Sequence, residues 1–201
     1  GTSVEVAVIA GAGVALDAGA AVRKGAACVC SRALGSATAR TDLTLGLDTS
    51  AVAGAATVPV QLQLRYTRPS GEEVLQVLTA RRPATSCRDT AEGDIDGTCV
   101  GLAGIHAAAR LAQDGQYRSA RVQLISTCRL LQRAMRTPRH QEAYLSFVVQ
   151  AEKLDGFMRE RESQEQVFGG DRSAQRGRDD DASRSMYQMK SLSVEEFAGR
   201  A

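Results

Sequence analysis

Apolar and polar side chains alternate almost without interruption over residues 57 to 77. The apolar positions of the first half are Val58, Val60, Leu62, Leu64 and Tyr66. A period of two places such side chains on one face of a β-strand. The segment that follows carries Pro69 and Gly71 at the second and fourth places of a type I turn. The pattern therefore predicts a β-hairpin with one apolar face and one polar face.

Two other stretches alternate in the same way. Their apolar positions are Val4, Val6 and Val8 in the first, and Leu43, Leu45 and Leu47 in the second. Residues 18 to 40, between them, are rich in Ala, Gly and Ser and are compatible with either a loop or an irregular strand. Pro59 lacks an N–H group, so we expect it at the start of a strand or on an edge. Residues 1–82 are thus predicted to form an antiparallel β-sandwich.

The apolar period changes to 3.6 after a polar linker at residues 83–97. We predict helices at residues 98–113, 116–136 and about 138–162. Gly115 is typical of a helix C-terminus, and Thr137 with Pro138 is typical of a helix start. The second helix carries an apolar stripe of Leu124, Cys128, Leu131 and Met135, and the third carries Tyr144, Phe147, Val148, Ala151, Leu154 and Met158. Short links favour antiparallel neighbours in a helical domain, residues 98–162.

From residue 163 to 201 the sequence is polar and Gly-rich, which predicts an extended, irregular tail. Near its end Ser193 and Glu196 have the spacing of a capping box for a short helix. The apolar residues around it include Met186, Tyr187, Met189 and Phe197. Because a polar tail cannot order itself, we predict that these four residues bind a partner protein. The whole chain is then of the α+β class, with a β-sandwich, a three-helix extension and a tail.

Composition excludes several function classes. Hydrophobic residues make up 43% of the chain, which allows a packed core, but aromatics are only 4%, so the core must consist mainly of Ala, Val and Leu. A net charge of +2, with Arg and acidic residues interleaved, argues against nucleic-acid binding. No run of apolar residues reaches the length of a membrane span. No basic segment precedes the first apolar run, so we do not expect a signal peptide. The chain begins at Gly1 within a predicted strand, which we interpret as a fragment of something longer.

The five cysteines do not form a paired motif. Cys28 and Cys30 are separated by one residue, a spacing that rarely closes a disulfide, so we expect a reduced, intracellular and cytoplasmic location. Zinc binding through these two residues would need distant cysteines to converge and stays an open alternative. Cys87 and Cys99 flank the acidic linker and could approach each other, whereas Cys128 is expected in the helical core.

No motif predicts a cofactor or a metal. Asp48 and Ser50 imitate a DxSxS metal-adhesion loop, but Val52 stands where the second serine should be, so we interpret the segment as a surface turn. The glycines of GAGVALDAGA do not match a dinucleotide or phosphate loop. The acidic run Glu92, Asp94 and Asp96 could bind a cation or, as we favour, cap the first long helix.

No motif predicts catalysis either. His106 shares a helix face with apolar residues and is expected to be packed, and His140 is expected to be exposed in a first helical turn. No activated nucleophile such as a GxSxG elbow is present. We therefore expect that the protein is not an enzyme.

Two quoted stretches carry a resemblance to known proteins. They are DLTLGLDTSAVAGAATVPVQLQLRYTRPSGEEVLQVLTARRP and AAARLAQDGQYRSARVQLISTCRLLQRA. A strand ending in Gly-Leu, a small-residue loop, a long hairpin and Ala- and Leu-rich helices resemble the β-sandwich and helical region that follows a von Willebrand factor A domain. The arrangement is also similar to COPII inner-coat subunits and to circularly permuted Ras proteins, in which GTSVEVAVIAG would match the first strand.

The resemblance and the missing chemistry together predict a non-enzymatic protein–protein interaction or scaffold module in a multi-subunit assembly. Its two predicted binding surfaces are the exposed edge of the hairpin sheet and the apolar segment of the tail. The alternative is a fragment or accessory subunit of a von Willebrand factor A-type or ubiquitin-ligase-type protein whose active part lies upstream.

Overall fold

The chain divides into a β unit and an α unit. The structure is a computed structural model that describes residues 2–11, 13–17, 21–24, 27–38, 41–52, 57–167 and 184–199. The two compact units are Gly1–Arg88 and Asp89–Ala201. Strands occupy the first unit and helices the second, so the predicted α+β class is confirmed. The boundary between the units falls inside the predicted linker, residues 83–97.

The first unit is built on an antiparallel sheet. Its described strands are β1 (Thr2–Ala10), β2 (Ala15–Asp17), β3 (Ala21–Lys24), β4 (Ala27–Gly35), β5 (Gly46–Asp48), β6 (Thr57–Thr67) and β7 (Glu73–Pro83). Five of them form one sheet in the order β3-β4-β1-β6-β7, and β2 pairs with β5 in a second, two-stranded sheet. β1 therefore lies between β4 and β6, and β7 lies at one edge of the larger sheet.

The predicted hairpin is confirmed as β6 and β7. The Gly71 N–H donates to the Arg68 carbonyl, and the Arg68 N–H donates to the Glu72 carbonyl, both at 2.9 Å. Gly71 has φ +85°, a left-handed conformation that glycine adopts without strain. A type I turn followed by such a glycine matches the twist of an antiparallel pair, so the turn sets the register of the two strands.

The apolar face of the larger sheet holds the core of the first unit. Val4, Val6 and Val8 are buried on this face. Val14 and Leu16 are buried in the same cluster, where they cover the sheet. Other members are Cys28 and Cys30, with Leu43 and Leu45 packed at the side. Burying aliphatic side chains in this way provides the main favourable free energy of a unit without Trp.

For two segments of this unit, the structure goes beyond or differs from the prediction made from the sequence. Residues 27–35, for which loop and strand were both open, form β4, because their backbone pairs with β1 and Cys28 and Cys30 face the core. Residues 43–47 were expected to alternate as a strand, but β5 begins only at Gly46 and Leu47 is 43% exposed. Leu43 and Leu45 reach the core from irregular chain instead.

Pro59 is the third residue of β6, close to the strand start that was one of the two places expected for it. Its carbonyl accepts a hydrogen bond from the Gly11 N–H at 3.0 Å, just beyond the end of β1. The ring nitrogen faces the same side, so the missing N–H falls where the β1 ladder has already ended.

The second unit contains six described helices. They are α1 (Arg88–Gly93), α2 (Gly97–Gln113), α3 (Tyr117–Arg133), α4 (Pro138–Val167), α5 (residues 184–190) and α6 (Val194–Phe197). The Asp96 carboxylate caps α2 by accepting from the Cys99 N–H at 3.0 Å, and Gly115 follows the C-terminal end of α2 as predicted. Thr137 Oγ1 accepts from the His140 N–H at 3.3 Å at the start of α4. Local caps therefore set both ends of α2 and the start of α4.

The core of the second unit surrounds α2, which packs against both α3 and α4. Its fully buried large side chains include Leu102, Ile105, Leu131, Phe147 and Leu154. Met135, predicted on the stripe of α3, lies beyond the helix end at Arg133 and is 36% exposed. α1, inside the predicted linker, is tied to α3 by an ion pair of 2.8 Å between Glu92 and Arg133.

The end of the chain packs onto this helical core. Ser193 and Glu196 form the predicted capping box at the start of α6, and the Phe197 ring is 1% exposed beside Gly101 of α2. His106 Nε2 donates to the Leu192 carbonyl at 2.9 Å, since a carbonyl oxygen can only accept. The described end of the tail, residues 184–199, is therefore held by the chain's own helices.

Charged side chains join α3 and α4 at the surface. Asp155 accepts hydrogen bonds from Arg121 at 2.8 Å and from Arg159 at 2.7 Å, and Arg121 also contacts Glu162 at 2.9 Å. Partial burial alone would raise the pKa of Asp155, but the two guanidinium groups outweigh it and the pKa is lowered. The carboxylate is thus held ionised by its two arginine partners.

Substitutions of two helical glycines should have opposite effects. The Cβ added by Gly101→Ala would lie 2.7 Å from the buried ring of Phe197, so we expect a loss of about 1–3 kcal/mol in the free energy of unfolding. Gly156→Ala, the matched control on α4, meets nothing within 4 Å and should gain up to about 1 kcal/mol. Urea unfolding followed by circular dichroism measures both. Equal effects would show that Phe197 does not pack against Gly101.

Removing the Asp155 charge should matter only above acidic pH. The pKa of Asp155 is lowered in the folded state, so its stabilisation is present above the ordinary value of 3.8 and is lost as the pH falls through the folded-state pKa. We expect Asp155→Asn to lower the free energy of unfolding by about 1 kcal/mol at pH 7, and by progressively less as the pH falls below 3.8. Glu152→Gln, on the exposed surface of α4, is the matched control for the loss of one carboxylate. An Asp155→Asn effect that does not shrink on acidification would contradict the ion-pair interpretation.

Candidate functional site

Three of the four predicted partner-binding residues are buried inside the second unit. Met186 is 4% exposed, Met189 is 6% exposed and Phe197 is 1% exposed. All three belong to the same apolar cluster as Leu102 and Phe147. A side chain already buried within its own chain cannot reach a partner, so the structure assigns these three an internal role.

Tyr187 differs from its neighbours, since it is 63% exposed. It lies on α5 between the two buried methionines, on the side away from the core. Partner binding by these four residues therefore stays a prediction, and Tyr187 is the one of them whose side chain is exposed.

The other predicted surface, the edge of the hairpin sheet, is accessible along β7. Leu75 is 54% exposed, Val77 is 48% exposed and Leu78 is 50% exposed. In the described part of the first unit no strand pairs with the far side of β7. An edge strand with apolar side chains on both faces is able to accept another strand.

The direction of the free backbone groups on β7 follows from the ladder. In an antiparallel sheet the N–H and C=O of one residue face the same neighbour, and successive residues face opposite sides. The bond from Gly11 to the Pro59 carbonyl shows that odd-numbered residues of β6 face β1, so even-numbered ones such as Leu64 face β7. Leu64 lies opposite Gln76, so even-numbered residues of β7 face inward. The residues whose backbone N–H and C=O groups face away from β6 are Glu73, Leu75, Val77, Thr79 and Arg81.

Charges protect only the two ends of this edge. Glu72 and Glu73 stand at the start of β7, and Arg81, Arg82 and Pro83 stand at its end. Residues 74–80, VLQVLTA, carry no charge and no proline. Natural edge strands are usually blocked by charges, prolines or bulges along their length. The central part of β7 has none of these, which favours a strand-binding surface.

An apolar groove adjoins this edge on one face of the sheet. It has a volume of about 790 Å³ and lies between the sheet and the segment around Leu43 and Leu45. Leu62 and Leu64 of β6 line its floor, and Gln76 of β7 belongs to its wall. A strand paired with β7 would therefore present every second side chain toward the same face as the groove.

A smaller groove lies in the second unit, between α3 and α4. Its volume is about 360 Å³, and Leu124, Cys128, Phe147 and Ala151 form its apolar part. The Arg121–Asp155 ion pair borders it. Ile125 also lines the groove and is 51% exposed.

The residues considered for catalysis or metal binding have hydrogen-bond partners within the chain. His106 is 3% exposed, as expected for a packed histidine, and holds Leu192. His140 is only partly exposed, and its Nδ1 accepts from the Arg136 N–H at 3.3 Å. The Asp48 carboxylate accepts from the Ser50 N–H at 2.9 Å, which lowers the pKa of Asp48 and forms a turn. Among the described residues, no three His, Cys, Asp or Glu side chains gather as a metal site.

The cysteines are all free thiols. Cys28 and Cys30 are buried in the core of the first unit, Cys128 is partly buried, and Cys87 and Cys99 are exposed. Although Cys99 is exposed as a residue, partial desolvation of its thiol first, and the nearby Asp96 carboxylate second, raise its pKa. A raised pKa disfavours the thiolate, so this thiol is not activated as a nucleophile.

The interpretation of residues 57 to 77 as alternating did not predict the apolar exposure of β7. β6 has apolar residues at every second place, but the sequence EVLQVLTARRP places apolar residues on both faces of β7. The loss of the two-residue period in the second strand of the hairpin is the sequence signal for this exposure. It indicates a strand that is only partly covered on both of its faces.

Among the helices that the structure describes, none combines the length and the apolar character that crossing a membrane requires.

Comparison with known proteins gives one partial similarity. No family model matches the chain, and no solved structure matches it. A Dictyostelium discoideum protein named Circularly permutated Ras protein 1 is 27% identical to the chain over 97 residues. The matched segment covers 48% of this chain but only 12% of that protein. The chain is thus similar to a small part of a much longer protein.

Proposed function

We propose that the chain is a non-enzymatic protein–protein interaction module within a larger assembly, and that it binds a partner by adding a strand to the outer edge of β7. The observation that supports this most is the half-exposed apolar side chains of Leu75, Val77 and Leu78 on an unblocked edge strand. Backbone pairing supplies affinity in this mode of binding, and alternate side chains supply specificity.

The energetics favour a reversible interaction. Each backbone hydrogen bond contributes about 0.5–1.5 kcal/mol net, and covering an apolar side chain adds to it. Ordering the partner strand offsets part of this gain. An edge of the length of β7, with residues 74–80 uncharged, therefore suits a partner that binds and dissociates during function.

A second candidate function is that of an accessory region in a longer protein whose active part lies elsewhere. It is favoured by the match to 12% of a circularly permutated Ras protein. Under this proposal the module would accompany a Ras-like domain, a von Willebrand factor A-type domain or a ubiquitin-ligase domain in one polypeptide. A full-length transcript that encodes any of these domains beside this sequence supports it, and one that encodes none contradicts it.

The strand-addition proposal can be tested at Val77, whose N–H faces outward. Val77→Pro removes that N–H without breaking the ladder to β6, so we expect the fold to persist and partner binding to be lost. Val77→Thr is the matched control, because it keeps the N–H and the β-branched shape, and it should still bind. Affinity capture from the native source, followed by pairwise binding of the purified proteins, measures the difference.

Circular dichroism and urea unfolding of both variants establish that they are folded. The proposal predicts partners that bind the unmodified chain and Val77→Thr but not Val77→Pro. Equal binding of every partner by all three chains would contradict strand addition at this edge.

A further inference from the structure

We infer that a second copy of this chain is a partner that the β7 edge fits, through antiparallel pairing of the two β7 strands about a twofold axis at Val77. This inference rests on the proposed use of the β7 edge and deepens it by naming one occupant.

The backbone permits this pairing. Outward-facing residues must meet outward-facing residues, and on β7 these are the odd-numbered ones from Glu73 to Arg81. An axis at Val77 places Val77 opposite Val77 of the second copy and Leu75 opposite its Thr79. Each such pair can exchange two backbone hydrogen bonds. The two sheets would then join into one continuous sheet.

The charges select this register. With the axis at Val77, Glu73 lies opposite Arg81 of the second copy, and the symmetry repeats the pair at the other end. Both side chains are exposed, and neither forms a salt bridge within the described part of the chain. A shift of two residues in either direction separates both pairs. Parallel pairing in register would instead place Glu73 against Glu73 and Arg81 against Arg81, which is unfavourable.

The exposed apolar side chains also favour this pairing. Leu75 and Val77 lie on one face of β7, and the twofold axis brings them beside Val77 and Thr79 of the second copy. Leu78 lies on the other face, opposite Gln76 of the second copy. Aliphatic and β-branched cross-strand pairs stabilise antiparallel ladders. A twofold contact is also closed, so it uses the edge without leaving a new one at the interface.

Self-pairing and partner binding would compete for the same backbone groups. A second copy on β7 covers the residues that a foreign strand would need, from Glu73 to Arg81. The dimer is therefore a form of the module that cannot bind its partner. The second copy covers the aggregation-prone edge until a partner strand displaces that copy.

The first experiment measures the mass of the full chain by sedimentation velocity over a wide range of concentrations. We expect a concentration-dependent equilibrium between one and two copies for the unmodified chain and for Val77→Thr. Val77→Pro should stay a single copy, because the central outward N–H is gone. A chain that is a single copy at every concentration, or a dimer that Val77→Pro leaves unchanged, would overturn the inference.

The second experiment tests the register by charge reversal. Glu73→Arg alone or Arg81→Glu alone places like charges opposite each other twice, and each should weaken dimerisation roughly tenfold. The double variant, with both changes in one chain, restores two opposite-charge pairs and should dimerise as the unmodified chain does. An equal mixture of the two single variants should form mixed dimers.

These results separate the inference from the proposed function. A single-copy chain that still loses its partners on Val77→Pro would overturn the dimer and leave strand addition intact. A dimer that neither Glu73→Arg alone nor Arg81→Glu alone weakens would overturn the register centred on Val77. Full recovery in the double variant is a result that a merely structural role of Glu73 and Arg81 does not produce.

Discussion

The one-sided hydrogen bonding of β7 is the constraint on which the functional account depends. β6 uses its two sides for two strands, β1 and β7, whereas β7 pairs on one side only in the described part of the unit. Alternation of the backbone then leaves a regular row of donors and acceptors facing outward. The apolar side chains of Leu75, Val77 and Leu78 would make such a row a site of uncontrolled aggregation unless something covers it. Both the proposed partner strand and the proposed second copy answer that need.

The helical unit contributes in a different way. Its tail is apolar enough to be a binding segment, but Gly101 leaves room for the Phe197 ring and His106 holds the backbone at Leu192. Residues 184–199 of the tail thus complete the helical core, and their buried apolar side chains are not presented to a partner. Of the two surfaces expected from the sequence, the sheet edge is the one whose apolar residues are accessible, and Tyr187 is what remains of the other.

Local signals explain what could be predicted. Period-two alternation with Pro69 and Gly71 predicted the hairpin, and Thr137 and Ser193 predicted two helix starts, because turns and caps depend on neighbouring residues. Long-range contacts explain what could not. β4 exists because its backbone pairs with β1. The tail methionines are buried because they join an apolar cluster whose other members are as distant in sequence as Leu102. The exposed edge could be anticipated in kind, but only the strand order shows that it belongs to β7.

Amide hydrogen exchange measured by NMR, at dilutions where the chain is a single copy, tests the central claim most directly. The account predicts alternation along β7: the amides of Gln76, Leu78 and Ala80 exchange slowly, and those of Leu75, Val77 and Thr79 exchange quickly. Uniformly slow exchange of all six amides at the lowest concentration would contradict it, because the outer edge of β7 would then already be covered within a single chain.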